Sequence, residues 1–266
     1  MGMAGWPLPS LDEDHMTETP VPVTPQPSAT ILLLRDEPLQ VLMIRRHHAQ
    51  VFASALVFPG GKVDPEDGSE DWLPLLVGAE GYCAEERGYR VAAFRETFEE
   101  AGVLLARDAS GAPVPAAAAA GTDFPEVVRR SGGKLWLDDL VLFGHWITPE
   151  FAPRRFDTRF FLARMPEGQE AATDGMEAVA HEWVEPAELL ERAGLEHKDL
   201  ILPTRMNLLL LSRSADSGAA MADARERTIM PVMPVRETLA DGGAVMRIPA
   251  EAGYGVTEHR TTFAGN

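Results

Sequence analysis

The stretch Arg95-Glu96-Thr97-Phe98-Glu99-Glu100-Ala101-Gly102-Val103 constrains the fold of this chain more than any other. On a helix, Glu96, Glu99 and Glu100 stand at i, i+3 and i+4 and share one face. Val91, Phe94, Phe98 and Ala101 cluster on roughly the opposite side, so the same helix carries a core-facing stripe. Gly102 follows where a left-handed residue closes a helix, a conformation only glycine adopts cheaply. Three carboxylates therefore crowd a last turn whose dipole is already negative, and like charges at this spacing repel. A hard divalent cation would relieve both faults, because such ions take oxygen ligands. The competing reading is a solvated acidic face, in keeping with a chain of 266 residues and net charge −17.

Upstream lies Phe58-Pro59-Gly60-Gly61-Lys62-Val63-Asp64, whose two glycines let a backbone turn closely around a ligand. Together the two segments resemble the Nudix hydrolase signature, G-x5-E-x7-R-E-U-x-E-E-x-G-U, where U is bulky and apolar. The second half matches from Arg95 to Val103, except that Thr97 stands at an apolar position. Gly61 and Arg95 are 34 positions apart where the signature has 14, so 20 residues are inserted. Counting forward from Gly61 puts Asp67 at the first Glu, whereas counting back from Arg95 reaches Arg87, beside Glu85 and Glu86. Both counts stay open. A signature interrupted in this way is similar to that of the peroxisomal coenzyme A diphosphatase branch. So is Trp146-Ile147-Thr148-Pro149-Glu150 followed by Arg154-Arg155-Phe156-Asp157-Thr158-Arg159-Phe160-Phe161. The likeness covers roughly residues 28 to 190.

The resemblance implies an α/β fold, an α/β/α sandwich around a mixed central sheet, here with a C-terminal α+β extension. It implies metal-dependent hydrolysis of a pyrophosphate linkage in a nucleoside diphosphate derivative. Coenzyme A or acyl-CoA, giving 3′,5′-ADP and (acyl-)phosphopantetheine, ranks first. ADP-ribose, NADH or dinucleoside polyphosphates are the alternative substrates, and a silent binding module is the third class. By the same resemblance, Glu96, Glu99, Glu100 and the Gly60 carbonyl hold Mg²⁺ or Mn²⁺, and Arg95 holds a neighbouring carboxylate in place. Glu99, Glu100 and Glu177 are the candidate catalytic groups. Glu177, in the loop Asp174-Gly175-Met176-Glu177, serves as base or further ligand, with Glu182 as its rival.

Substrate contacts are read from chemistry at strand ends. Arg45 and Arg46, followed by His47 and His48, either meet phosphates or form a solvated end. The two histidines take no metal role, since neighbours on a strand face opposite ways. Arg154, Arg155 and Arg159 match a 3′-phosphate or simply solubilise a strand edge. Phe156 and Trp146 either stack on adenine or pack in the core, the commoner fate.

Composition sets the outer limits. With 45% apolar residues the chain can bury a sizeable core, and its acidity argues against sequence-independent binding to nucleic acid. Cys83 is the one cysteine, so no intramolecular disulfide or cysteine-rich metal site is expected. No run of about 18 apolar residues exists to span a membrane, and a cytoplasmic protein is expected. Residues 1–27 read as a proline-rich disordered tail, 28–195 as the hydrolase domain, and 196–266 as the extension, with homodimerisation its default role. The insert, about 64–88, carries Trp72, Leu73, Leu75, Leu76 and Val77, too apolar for a free loop. It is expected to fold into a short helix or lid, border the substrate cleft and select among acyl chains. Strands are expected over 29–34, 39–46, 55–58, 156–164, 179–184, 228–235 and 244–248. Helices are expected over 91–101, 122–130, 186–193 and 200–213.

Overall fold

Ala29, Ile31 and Leu33 alternate with Leu32 and Leu34, and all five are buried, so their strand must be covered on both faces. The computed structural model, which describes residues 23–46, 56–116, 123–173, 178–193, 200–241 and 243–261, places that strand, β1 (Gln26–Arg35), at the centre of a mixed sheet. β2 (Gln40–Arg46) folds back antiparallel to it, with Leu34 opposite Val41. The short strands β3 (Leu56–Val57) and β4 (Gly60–Lys62) pair with β2 and β1 respectively. β5 (Leu76–Val77) pairs in parallel with β6 (Leu135–Trp136), apart from the main sheet. β7 (Val141–Ile147) runs antiparallel to β8 (Phe156–Arg164), which lies parallel to β1 from Gln26↔Phe156 to Leu34↔Arg164. β9 (Ala178–Val184) covers the other side of β2.

Helices cover both faces. On one lie α1 (Ala84–Ala101) and α2 (Phe124–Ser131), packed with Ile31, Leu33, Leu42 and Phe161. On the other lie α3 (Pro186–Ala193), α4 (Leu202–Leu211) and α5 (Ser217–Glu226), packed with Leu32, Leu34, Met43, Phe143 and Trp146. The expected α/β/α sandwich is therefore present. β10 (Pro231–Val232) adds in parallel to β7, and β11 (Val235–Thr238), β12 (Ala244–Arg247) and β13 (Glu258–Thr261) form a separate antiparallel sheet. No helix among the described residues is long and apolar enough to cross a membrane.

Three expectations need correction. The helix expected from Val91 begins at Ala84, two turns earlier, and runs through Gly88. At Gly88 a Cβ would meet Gly68 and Val63 at 3.5 Å, an ordinary contact distance, and the helix runs on through it. The single strand expected over 228–235 is broken into β10 and β11, with Pro234 between them, because proline has no N–H for a ladder. The apolar residues of the insert do not wait for an acyl chain. Trp72 and Leu76 are buried, Trp72 against the Phe124 ring of α2 and Leu76 in the β5–β6 pair, so the chain itself covers them. Leu73 alone of the five is classed exposed.

Candidate active site

The C-terminal half of α1 lies against the Gly60-Gly61 turn, and the two touch through carboxylates. Glu100, 2% exposed, accepts the Gly60 N–H at 2.7 Å on Oε2. The turn reaches that position because it has no side chains. A Cβ on Gly61 would sit 2.4 Å from the Glu96 carboxyl carbon, and one on Gly60 would sit 2.4 Å from the Ala29 carbonyl oxygen. Gly102 ends the helix at φ 66°, as its sequence position requires, and its N–H returns to the Phe98 carbonyl. Thr97 fills its apolar slot by turning its hydroxyl inward, donating to the Ala93 carbonyl at 2.8 Å.

Beside this contact Arg95 organises the remaining acids. Its guanidinium donates to both Asp67 oxygens, at 3.1 and 2.9 Å, to Glu96 at 2.8 Å and to Glu99 at 2.9 Å. It also donates to the Lys62 carbonyl at 2.9 Å, which ties the clamp to β4. Burial opposes the Arg95 charge, but Asp67, then Glu96 and Glu99, outweigh it and hold the guanidinium firmly protonated. Asp67 is 3% exposed and also accepts the Asp64 N–H at 2.9 Å. The forward count from Gly61 is thus the one that matches the three-dimensional arrangement. Asp67 stands at the first acidic position, and the extra residues lie between it and Arg95. Glu85 and Glu86, reached by the backward count, instead pair with Arg159, whose guanidinium also lies 3.9 Å from the Tyr89 ring centroid.

The donors at the turn are all hard oxygens, the Glu96, Glu99 and Glu100 carboxylates and the Gly60 carbonyl. That set fits a hard divalent cation. Among the described residues no three acidic, His or Cys side chains are already gathered as a closed cage. Arg95 holds Glu96 and Glu99 from one side, while Glu100 is held by the Gly60 N–H. Glu99, with its side chain 46% exposed, is the carboxylate open to solvent.

The other sequence candidates divide. Arg45 is half-buried at the end of β2, where Leu56 pairs with it just before the glycine turn. Arg46 pairs with Ala178 through the backbone, and its side chain lies outside the described residues, as does Glu177 entirely. Arg154 is exposed and Phe156 half-buried at the start of β8. Arg155 is a correction. It is buried and donates to the Thr148 and Val23 carbonyls at 3.0 and 2.8 Å, so its fork joins loop to strand and is not offered to a phosphate. Glu182 pairs with Arg192 of α3 on the surface. Trp146 is a core residue whose Nε1–H donates to the Tyr254 hydroxyl at 2.8 Å.

With this geometry, likeness to known proteins becomes interpretable. The family model for the NUDT19 Nudix domain matches residues 79–206, from the end of the insert through α1 into α4. The human acyl-coenzyme A diphosphatase NUDT19 is 29% identical over 244 residues, a match covering 71% of this chain and 60% of that protein. Its Gallus gallus counterpart is 28% identical over 264 residues, covering 76% and 70%. The chain thus spans less than two thirds of the human relative's length. Among solved structures, a Nudix hydrolase from Alicyclobacillus acidocaldarius aligns with TM-score 0.65 at 28% identity, over 75% of this chain and 96% of that one. The chain resembles the Nudix hydrolases, a class that acts on small-molecule substrates and generally uses divalent cations. Within that class it resembles the coenzyme A diphosphatase branch.

Proposed function

We propose that this chain hydrolyses the pyrophosphate linkage of coenzyme A or its acyl esters, giving 3′,5′-ADP and (acyl-)phosphopantetheine. The observation that carries the reading is the buried Glu100 carboxylate on the Gly60 N–H, with Glu96 packed against Gly61. The likeness to acyl-coenzyme A diphosphatases supplies the substrate.

Glu96, Glu99, Glu100 and the Gly60 carbonyl are the groups that would hold Mg²⁺ or Mn²⁺. A bound divalent ion supplies charge neutralisation on the phosphate oxygens and a polarised water. The chain's own residues do the rest. Arg95 holds the Glu96 and Glu99 carboxylates in place by donating to both. Glu99, Glu100 and Glu177 are the candidate catalytic groups, with Glu177 as base or further ligand. Arg45 and Arg46, at the β2 end, meet the phosphates, and Arg154 and Phe156 receive the nucleotide. A cytoplasmic location and a homodimer belong to the same reading; the free, exposed Cys83 suits a reducing compartment.

The test is a substrate panel of coenzyme A, acyl-CoAs, ADP-ribose, NADH and a dinucleoside polyphosphate, with products identified by mass. Coenzyme A esters should be cleaved fastest with Mg²⁺ or Mn²⁺, and full activity in excess chelator would sink the metal-dependent reading.

A further inference from the structure

We infer that the inserted segment is a brace for the carboxylates, with Trp72 as its positioning residue; this rests on the metal-dependent reading above. The indole has two attachments, and each leads to a different end of the Arg95 clamp. Its Nε1–H donates to the Glu66 carbonyl at 3.1 Å, and Glu66 immediately precedes Asp67, which receives Arg95. Its ring packs on Phe124 at 5.8 Å between centroids. Phe124 in turn packs on Phe98 at 5.7 Å, and Phe98 immediately precedes Glu99.

One buried side chain thus fixes the Asp67 turn and, through Phe124 and the core-facing Phe98, the last turns of α1, from whose other side Glu96 and Glu99 project. Groups that orient metal-binding side chains set ion affinity even without touching the ion. The insert reaches the site through this polar and aromatic framework, while its apolar residues Trp72 and Leu76 are already covered by protein.

The test uses Trp72→Phe in the full chain, which keeps a ring over Phe124 and removes the N–H. Mn²⁺ binding to the protein is followed by electron paramagnetic resonance, alongside rates at saturating Mn²⁺ and relative rates across acyl-CoAs. The expected result is a loss of about tenfold in Mn²⁺ affinity, with the saturated rate and the acyl profile close to those of the parent. Phe124→Leu, which loosens the other attachment, should weaken Mn²⁺ binding in the same direction. Leu73→Ala, on the exposed side of the insert, should leave binding and rate unchanged. Unchanged Mn²⁺ affinity in both core variants, with only thermal stability reduced, would overturn the brace and leave the hydrolase reading standing. A shifted acyl profile at unchanged Mn²⁺ affinity would overturn it in favour of a selectivity role. Absence of Mn²⁺ binding to the parent protein would overturn both.

Discussion

The two faces of the central sheet are covered in different ways. On the α1 face, charged groups are drawn inward: Asp67, Glu96 and Glu100 are buried around Arg95 and the glycine turn. On the other face, α3, α4 and α5 bring mainly Leu, Met and Ala, and the buried polar residues of α4 and α5, Thr204, Asn207 and Ser217, are neutral. Tyr254 accepts from Trp146 and donates to Asn207 at 3.3 Å, while Asp36 accepts the Ser217 N–H and hydroxyl at the start of α5. Buried charges are costly unless they are paired; on the first face the Arg95 guanidinium pairs with Asp67, Glu96 and Glu99, whereas the second face is built on apolar packing.

If that division holds, variants on the two faces should fail in opposite ways. The largest effect is expected from Glu100→Gln, which keeps the shape and removes the charge. Its rate should drop by at least ~10²-fold, with a thermal midpoint equal to or above the parent's. A near-parental steady-state rate would erase the division. Next comes Tyr254→Phe, which strands the Trp146 N–H and Asn207 in the core. It should lower unfolding free energy by about 1–3 kcal/mol in urea titrations, with rate and Mn²⁺ requirement untouched. A changed Mn²⁺ requirement would show that the faces are coupled.

The smallest effect concerns His259 of β13. Burial, then the nearby Arg205, pushes its pKa below the ordinary value. The unfolded chain therefore takes up this proton first as pH falls. The stability linked to the neutral ring is present above about pH 6.5 and is lost on acidification through the folded-state value. His259→Gln should narrow the difference in thermal midpoint between neutral and mildly acidic buffer by about 1–2 °C. An unaltered difference would exclude the residue as a source of acid sensitivity.

What the sequence discloses follows from how local each cause is. The apolar run of β1 and the apolar stripe of α1 are set by neighbours along the chain; β1 forms around the expected residues, while α1 covers its expected span but starts two turns earlier, at Ala84. The glycine turn and the acidic trio are legible because their spacing is itself the geometry. Asp67 was within reach too, since six positions after Gly61 is a short, countable distance. Trp72 was not. Hydrophobicity demands a cover but does not name it, and Phe124 lies fifty-two positions away. Arg155 misleads because a guanidinium offers the same donors to a carbonyl as to a phosphate. α5 passed unread, since its Gly218-Ala219-Ala220 start shows little contrast between faces.

The outer edge of β7 has a further consequence. β10 covers it for two residues, Pro231 opposite His145 and Val232 opposite Trp146, and Arg227 donates to the Phe143 carbonyl on the same strand at 3.0 Å. A proline without an N–H then stands at the border of the sheet, beside an arginine that occupies a backbone acceptor. A foreign strand finds little there to pair with. The segment after α5 thus covers the β7 edge, and a chain cut before Arg227 would keep α1 while presenting β7 as a template for its neighbours.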